Sequence, residues 1–219
     1  MRSLITATLV AASALAGATT ALADAPSRVR GTIVSVSGDT AVIRTPMGKV
    51  DAHLTADSRI VGAKKASLDD IKPNSFIGTA AVPGNGDHLR ALEVTIFPEA
   101  MRGTGEGSYP WDLGKSGSMT NGAVSSMTNG TVAPAAAASS MTNGTVSAMG
   151  AKGRTIKVAY KGGEKIVDLP DDTPVVTLDP GDRSLLKPGV KVVVFGPKTG
   201  DTVEAKRIVA GEDGVKPPM

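Results

Sequence analysis

A chain of 219 residues with no cysteine and only 3% aromatic side chains excludes disulfide staples, thiolate chemistry and the stacked-base groove of a single-strand nucleic-acid binder. Its 24 lysines and arginines stand against 21 carboxylates, a formal balance of +3. No basic run forms the stripe that phosphate backbones require, so no nucleic-acid partner is expected.

The opening "MRSLITATLVAASALAGATTALADA" carries Arg2, an apolar run from Leu4 to Ala16, and small residues ahead of a cut after Ala23 or Ala25. It reads as a secretory signal peptide over 1–25 rather than an anchor, because the run is too short to span a bilayer and no later segment approaches that length. The expectation is a bacterial periplasmic or secreted protein with no transmembrane segment after cleavage. Roughly 195 residues then remain, enough for one or two small domains.

From residue 30 the apolar period is two. "RGTIVSVS" (30–37), "TAVIRT" (40–45) and "KVDAHL" (49–54), separated by Gly-Asp and Pro-Met-Gly turns, predict a three-stranded meander. "SLDDIKPNS" (67–75) predicts one helical turn that proline ends. "SFIGTAAV" (75–82) and "LRALEVTIF" (89–97) then predict a hairpin.

The same order returns later. A constant offset lays Gly38, Thr40, Gly48, Leu54, Asp57, Lys72 and Pro73 on Gly153, Thr155, Gly163, Leu169, Asp172, Lys187 and Pro188, and "LRALEVTI" (89–96) falls on "VEAKRIVA" (203–210) after one deletion. This is an internal duplication of a unit of about 70 residues. Three strands, a short helix and a hairpin is the strand order of a small OB-like barrel. The fold class expected is therefore all-β: two tandem OB-like barrels, each with one short helix. Barrel 1 covers 28–98, a joint and low-complexity linker 99–139, barrel 2 140–212, and a tail 213–219.

The word SMTNG occurs three times between Ser118 and Gly144. The third copy leads into "NGTVSAMGAKG", so Gly144-Thr145-Val146 is expected to match Gly31-Thr32-Ile33 in the first strand of the second unit. The upstream copies then read as a duplicated flexible linker. The alternative is soft-metal capture by Met119, Met127, Met141 and Met149, helped by the only histidines, His53 and His88. The methionine spacing sets no compact geometry, and alternation puts Asp51 and His53 on the solvated face opposite Val50, Ala52 and Leu54.

The joint "FPEAMRGTGEGSYPWDLG" (97–114) concentrates the scarce aromatics Tyr109 and Trp111 beside Glu99, Arg102, Glu106 and Asp112. These six residues form the candidate contact site, since tryptophan and arginine are favoured at binding hot spots. The competing reading is that Trp111 plugs a barrel end. Gly103, Gly105 and Gly107 do not open a helix, so they are no dinucleotide loop. Ser184 and Lys187 spell a serine–lysine tetrad, but Ser184 falls on Asp69 and Lys187 on Lys72 of the same predicted turn, which makes them fold residues rather than a catalytic pair. Asp171-Asp172 and Asp179 with Asp182 fit turn chemistry better than a calcium loop.

"GTIVSVSGDTAVIRT" with "IKPNSFIGTAAV", and "RTIKVAYKGGEKIVDL" with "LKPGVKVVVF", resemble a family of exported bacterial OB-like domains of unknown function. The resemblance implies two tandem copies of that fold and supplies no catalytic residues; some relatives are labelled as parts of metal ABC transporters. The function expected is a non-enzymatic periplasmic binding or protein-interaction module, without a cofactor, whose partner is an envelope protein or small ligand. The alternative is a metal-handling protein, and a hydrolase is the last choice.

Overall fold

The computed structural model describes residues 27–111, 116–132 and 151–218. The expected leader, Asp112, Met141, Met149 and the third SMTNG copy lie outside the described residues. The chain is all-β with a closed β-barrel. The described helical pieces are single 3-10 turns, Leu68–Asp70, Glu99–Met101 and Arg183–Leu185. The first and third stand where short helices were expected. Each is held by a side chain on its own backbone: the Ser67 amide donates to Asp70 at 2.8 Å and the Ser184 amide to Asp182 at 2.7 Å.

The predicted meander is present as β1 (Ser27–Ser37), β2 (Thr40–Thr45) and β3 (Gly48–Ala66), followed by the hairpin β4 (Phe76–Pro83) and β5 (Leu89–Ile96). After the joint come β6 (Gly107–Pro110), β7 (Ser118–Val132), β8 (Ala151–Tyr160), β9 (Gly163–Pro170) and β10 (Val175–Gly181), then β11 (Lys191–Gly196), β12 (Lys198–Thr199) and β13 (Thr202–Gly211). The duplication is visible in the ladders. Thr40 faces His53 as Thr155 faces Asp168, and Ile77 faces Ile96 as Val192 faces Ala210.

The strands do not close within each copy. β1, β2 and β3 are joined into a circuit by β13, parallel to β3, and by β11, which returns to β1. The reciprocal circuit is β7, β8 and β9 with β5 and β4. Each meander is completed by the hairpin of the other copy, so neither 28–98 nor 140–212 is a self-contained barrel. The cause lies in β3, which runs on for 19 residues without turning back. Its far half lies antiparallel on β10, with Ala63 opposite Leu178. Those two residues are equivalents under the repeat offset, so a local two-fold axis passes between them, as in an exchanged dimer fused into one chain.

The first strand of the second unit also differs from expectation. It is β7, built from the first two SMTNG copies, while the segment around Gly144 that was expected in that place lies outside the described residues. Ile33 pairs with Ile43 and Val124 with Val158, each beside a bulge two residues on. This lays Gly122 on Gly31. At both, a Cβ would overlap a backbone carbonyl, that of Arg44 or of Ala159, so each "NGAV" or "RGTI" strand needs glycine where its neighbour crosses closely. The repeat therefore supplies strand residues: Met119, Thr120, Asn121 and Gly122 are all buried, between β4 and β6.

Two apolar clusters fill the circuits. Ile33, Ile43, Leu54 and Ile208 belong to the first, and Ile77, Ile156, Val167 and Leu169 to the second. A third, small cluster of Val61, Ala63, Leu178 and Val209 sits at the crossing and is flanked by Phe97, Met101 and Phe195.

Candidate functional site

The joint passes over this third cluster. It leaves β5 at Phe97, which stacks edge-on against Phe76 with centroids 5.6 Å apart. It then makes the 3-10 turn and bends at Gly103 and Gly105, whose φ angles of 83° and 59° belong to the left-handed region. β6 then pairs with β7, setting Tyr109 beside Met119. The segment encloses a cavity of about 90 Å³ bordered by Phe97, Met101, Tyr109, Trp111, Phe195 and Arg207, among others. That is room for a few waters or one small apolar group.

Two arginines meet these aromatics. The Arg28 guanidinium lies 3.5 Å from the Trp111 ring centre, and that of Arg207 lies 4.6 Å from the ring centre of Phe195, both within cation–π range. Tyr109 and Trp111 are tilted neighbours at 5.9 Å. Burial raises the Tyr109 phenol above its ordinary pKa, while Arg28 and Arg207 pull it back. Burial likewise lowers Arg207, and the nearby Arg59 charge adds to that.

Asn121 ties the site together. It is 6% exposed, and its Nδ2 donates to the Gly105 carbonyl at 3.0 Å and to the Tyr109 hydroxyl at 3.2 Å. Its Oδ1 is buried without a hydrogen-bond partner and packs over Gly78, where a Cβ would come within 2.6 Å of it.

Of the six candidate residues, Tyr109 and Trp111 line the cavity. Trp111 is half-buried. Glu99 and Arg102 instead pair with each other, Nε to Oε1 at 2.5 Å and Nη2 to Oε2 at 2.7 Å, and Arg102 also clasps the Asn74 carbonyl at 2.9 Å. Glu106 accepts from the Lys161 amide at 2.8 Å. These three pin the joint to the barrel. Residues that the sequence did not single out complete the site: Phe97, Asn121, Phe195 and Arg207 line the cavity, and Arg28 stacks on Trp111 from β1. Nothing in the local sequence marked them, for Arg30 and Lys206 stand in the same two strands as Arg28 and Arg207 without lining the cavity.

Among the described residues the candidate ligands of the metal alternative lie apart. Met119 is buried beside the cavity, while Met127 packs on the second cluster, its sulfur 3.9 Å from the Arg154 Nη1. His53 is exposed on β3, as its alternation predicts. His88 belongs to the other circuit, its Nδ1 3.1 Å from both Asp168 oxygens, and Asp168 also accepts from Thr155 at 2.7 Å. Among the described residues no group of three or more His, Cys, Asp or Glu is placed to hold a metal ion. Ser184 and Lys187 are both exposed on their turn, with no hydrogen bond between their side chains.

No family model matches the chain, and neither a curated protein sequence nor a solved structure matches it. Among the described residues no helix is long and apolar enough to cross a membrane.

Proposed function

We propose that the protein is a non-enzymatic binding module of the bacterial envelope, built from two OB-like barrels that exchange hairpins, with its contact site under the joint. The strand order of each circuit supports the OB-like reading: the third strand runs parallel to the last, and the hairpin returns to the first. The leader supports export to the periplasm, and an envelope protein or small ligand is the partner. The observation that carries the binding reading is the half-exposed Trp111, stacked by Arg28 at the mouth of an aromatic cavity. Aromatic and arginine side chains in a partly open concave site are what recognition surfaces select.

A photo-crosslinking amino acid placed at position 111 in living cells tests this, with position 47 as control because Met47 is 99% exposed and does not border the aromatic cavity. A discrete adduct at 111 and none at 47 is expected. Equal, diffuse labelling at both positions would sink the reading, as would collapse of the fold on Trp111→Ala, which would make Trp111 a plug.

A further inference from the structure

Beside the aromatic cavity opens a cleft of about 380 Å³ that shares Met101, Thr104 and Arg207 with it and adds Arg59. Arg59 and Arg207 are direct cross-strand partners in the parallel β3–β13 ladder. Like charges in that relation repel, and nothing in the lining offsets them, for the cleft contains no carboxylate. Asp57, two residues before Arg59, acts instead on Lys206. Among the described residues neither arginine makes an ion pair, and the Arg207 Nε is buried without a hydrogen-bond partner. A buried donor of a charged group left without a partner is destabilising and calls for an occupant.

The repeat shows that the fold does not require this pair. Arg207 is equivalent to Glu93, and Arg59 to Pro174, because Ile208 pairs with Ile60 as Val94 pairs with Val175. The corresponding cleft of about 690 Å³ also holds Lys65, Arg154 and Lys216, but balances them with Asp69, Asp171 and Asp172. One copy of the cleft is thus charge-compensated and the other is left doubly cationic.

Resting on the binding-module reading above, we infer that the Arg59–Arg207 cleft is an anion site for a small carboxylate or phosphate whose apolar body enters the adjoining Phe97–Met101–Trp111 cavity. Guanidinium forks suit those planar or tetrahedral oxyanions. The aromatic walls supply the contact for a ring or short chain, and Trp111, the single tryptophan, reports on its arrival.

The test is a titration of the mature full chain with phenyl phosphate, benzoate, inorganic phosphate and neutral benzyl alcohol, read by Trp111 fluorescence and calorimetry at low and high salt. Saturable binding of phenyl phosphate or benzoate is expected, competed by inorganic phosphate and weakened by salt. The Arg59→Gln variant, whose side chain is exposed and whose thermal midpoint certifies its fold, is expected to bind about tenfold more weakly. Arg207→Lys tests the fork, retaining charge but losing affinity. Phenyl phosphate favoured over benzoate assigns a phosphate source; the reverse assigns a carboxylate. Absence of saturation in the millimolar range, or unchanged affinity in Arg59→Gln, overturns the anion site. Crosslinking at position 111 in cells alongside such a failure would leave the module standing and remove only this ligand class.

Discussion

The two clefts that flank the central crossing are built on equivalent residues, yet one is cationic and the other charge-compensated. Ser58, Ile60 and Val61 line one, and their equivalents Thr173, Val175 and Val176 line the other. The first is roofed by the joint through Ala100 and Met101, the second by the tail through Val215 and Lys216. Where the backbone is shared, a difference in side-chain charge is not imposed by folding. The comparison separates what the barrel needs, which both copies keep, from what one copy has acquired.

The largest effects are expected where the copies agree. Leu54 and Leu169 are equivalents at 2% and 0% exposure, and Leu→Ala at either should cost about 2–5 kcal/mol. Because each circuit contains strands of both halves, damage to either should lower one shared calorimetric transition. Two separately shifting transitions would show that the circuits are independent domains. Next come Gly31→Ala and Gly122→Ala, each forcing a methyl group into a neighbouring carbonyl, with an expected loss of about 1–3 kcal/mol apiece. Tolerance at Gly122 alone, measured by denaturant midpoint, would break the equivalence of β7 with β1.

That equivalence marks the limit of what the sequence carried. The meanders, hairpins and 3-10 turns were legible because alternation and turn residues are local, and the offset from Gly38 to Gly153 recovered the true register of β2 with β8. The same offset misplaced β7, since the stretch between β7 and β8 is longer than the Gly38-Asp39 turn and a constant offset cannot span that difference. The exchange of hairpins was not legible at all. β11 pairs with β1 through the same alternation it would show against β7, so periodicity cannot say which copy completes a barrel. Only the unbroken course of β3 decides it. Of the site, Tyr109 and Trp111 stood out as rare residues in a charged joint, whereas Arg28, Asn121 and Arg207 became site residues only through long-range pairing.

The clefts themselves offer a smaller test. Without any ligand, Arg59→Gln should raise stability at low ionic strength by about 0.2–1 kcal/mol, because it removes a like-charge cross-strand pair. The gain should shrink in high salt, where exposed charges are screened. Arg154→Gln in the compensated cleft should do the reverse, since Arg154 pairs with Asp69 and its Nη1 donates to the Leu68 carbonyl at 2.6 Å. Thermal midpoints of both variants at two salt concentrations decide the matter; changes of the same sign would mean that the first cleft is not electrostatically frustrated.

The smallest difference concerns the two 3-10 turns, which reach the same end with the acid on opposite sides. Asp70 closes the first turn, and the Ser67 amide and hydroxyl hold its carboxyl below the ordinary 3.8. Asp182 opens the third turn and is lowered in the same way by Ser184. A carboxyl whose folded pKa is depressed stabilises the fold above its unfolded pKa, and loses that contribution as pH falls through the folded value. Asp70→Asn and Asp182→Asn should therefore each lower the midpoint slightly at neutral pH and match the parent chain in acid below both values. Both carboxyls are fully exposed, so the effects are small and sensitive to salt. The double variant should show their sum, because the turns pack on different apolar clusters, Leu68 on the second and Leu185 on the first, with no shared partner. A deficit that persisted below the carboxylate range would assign the role of these acids to turn geometry rather than to charge.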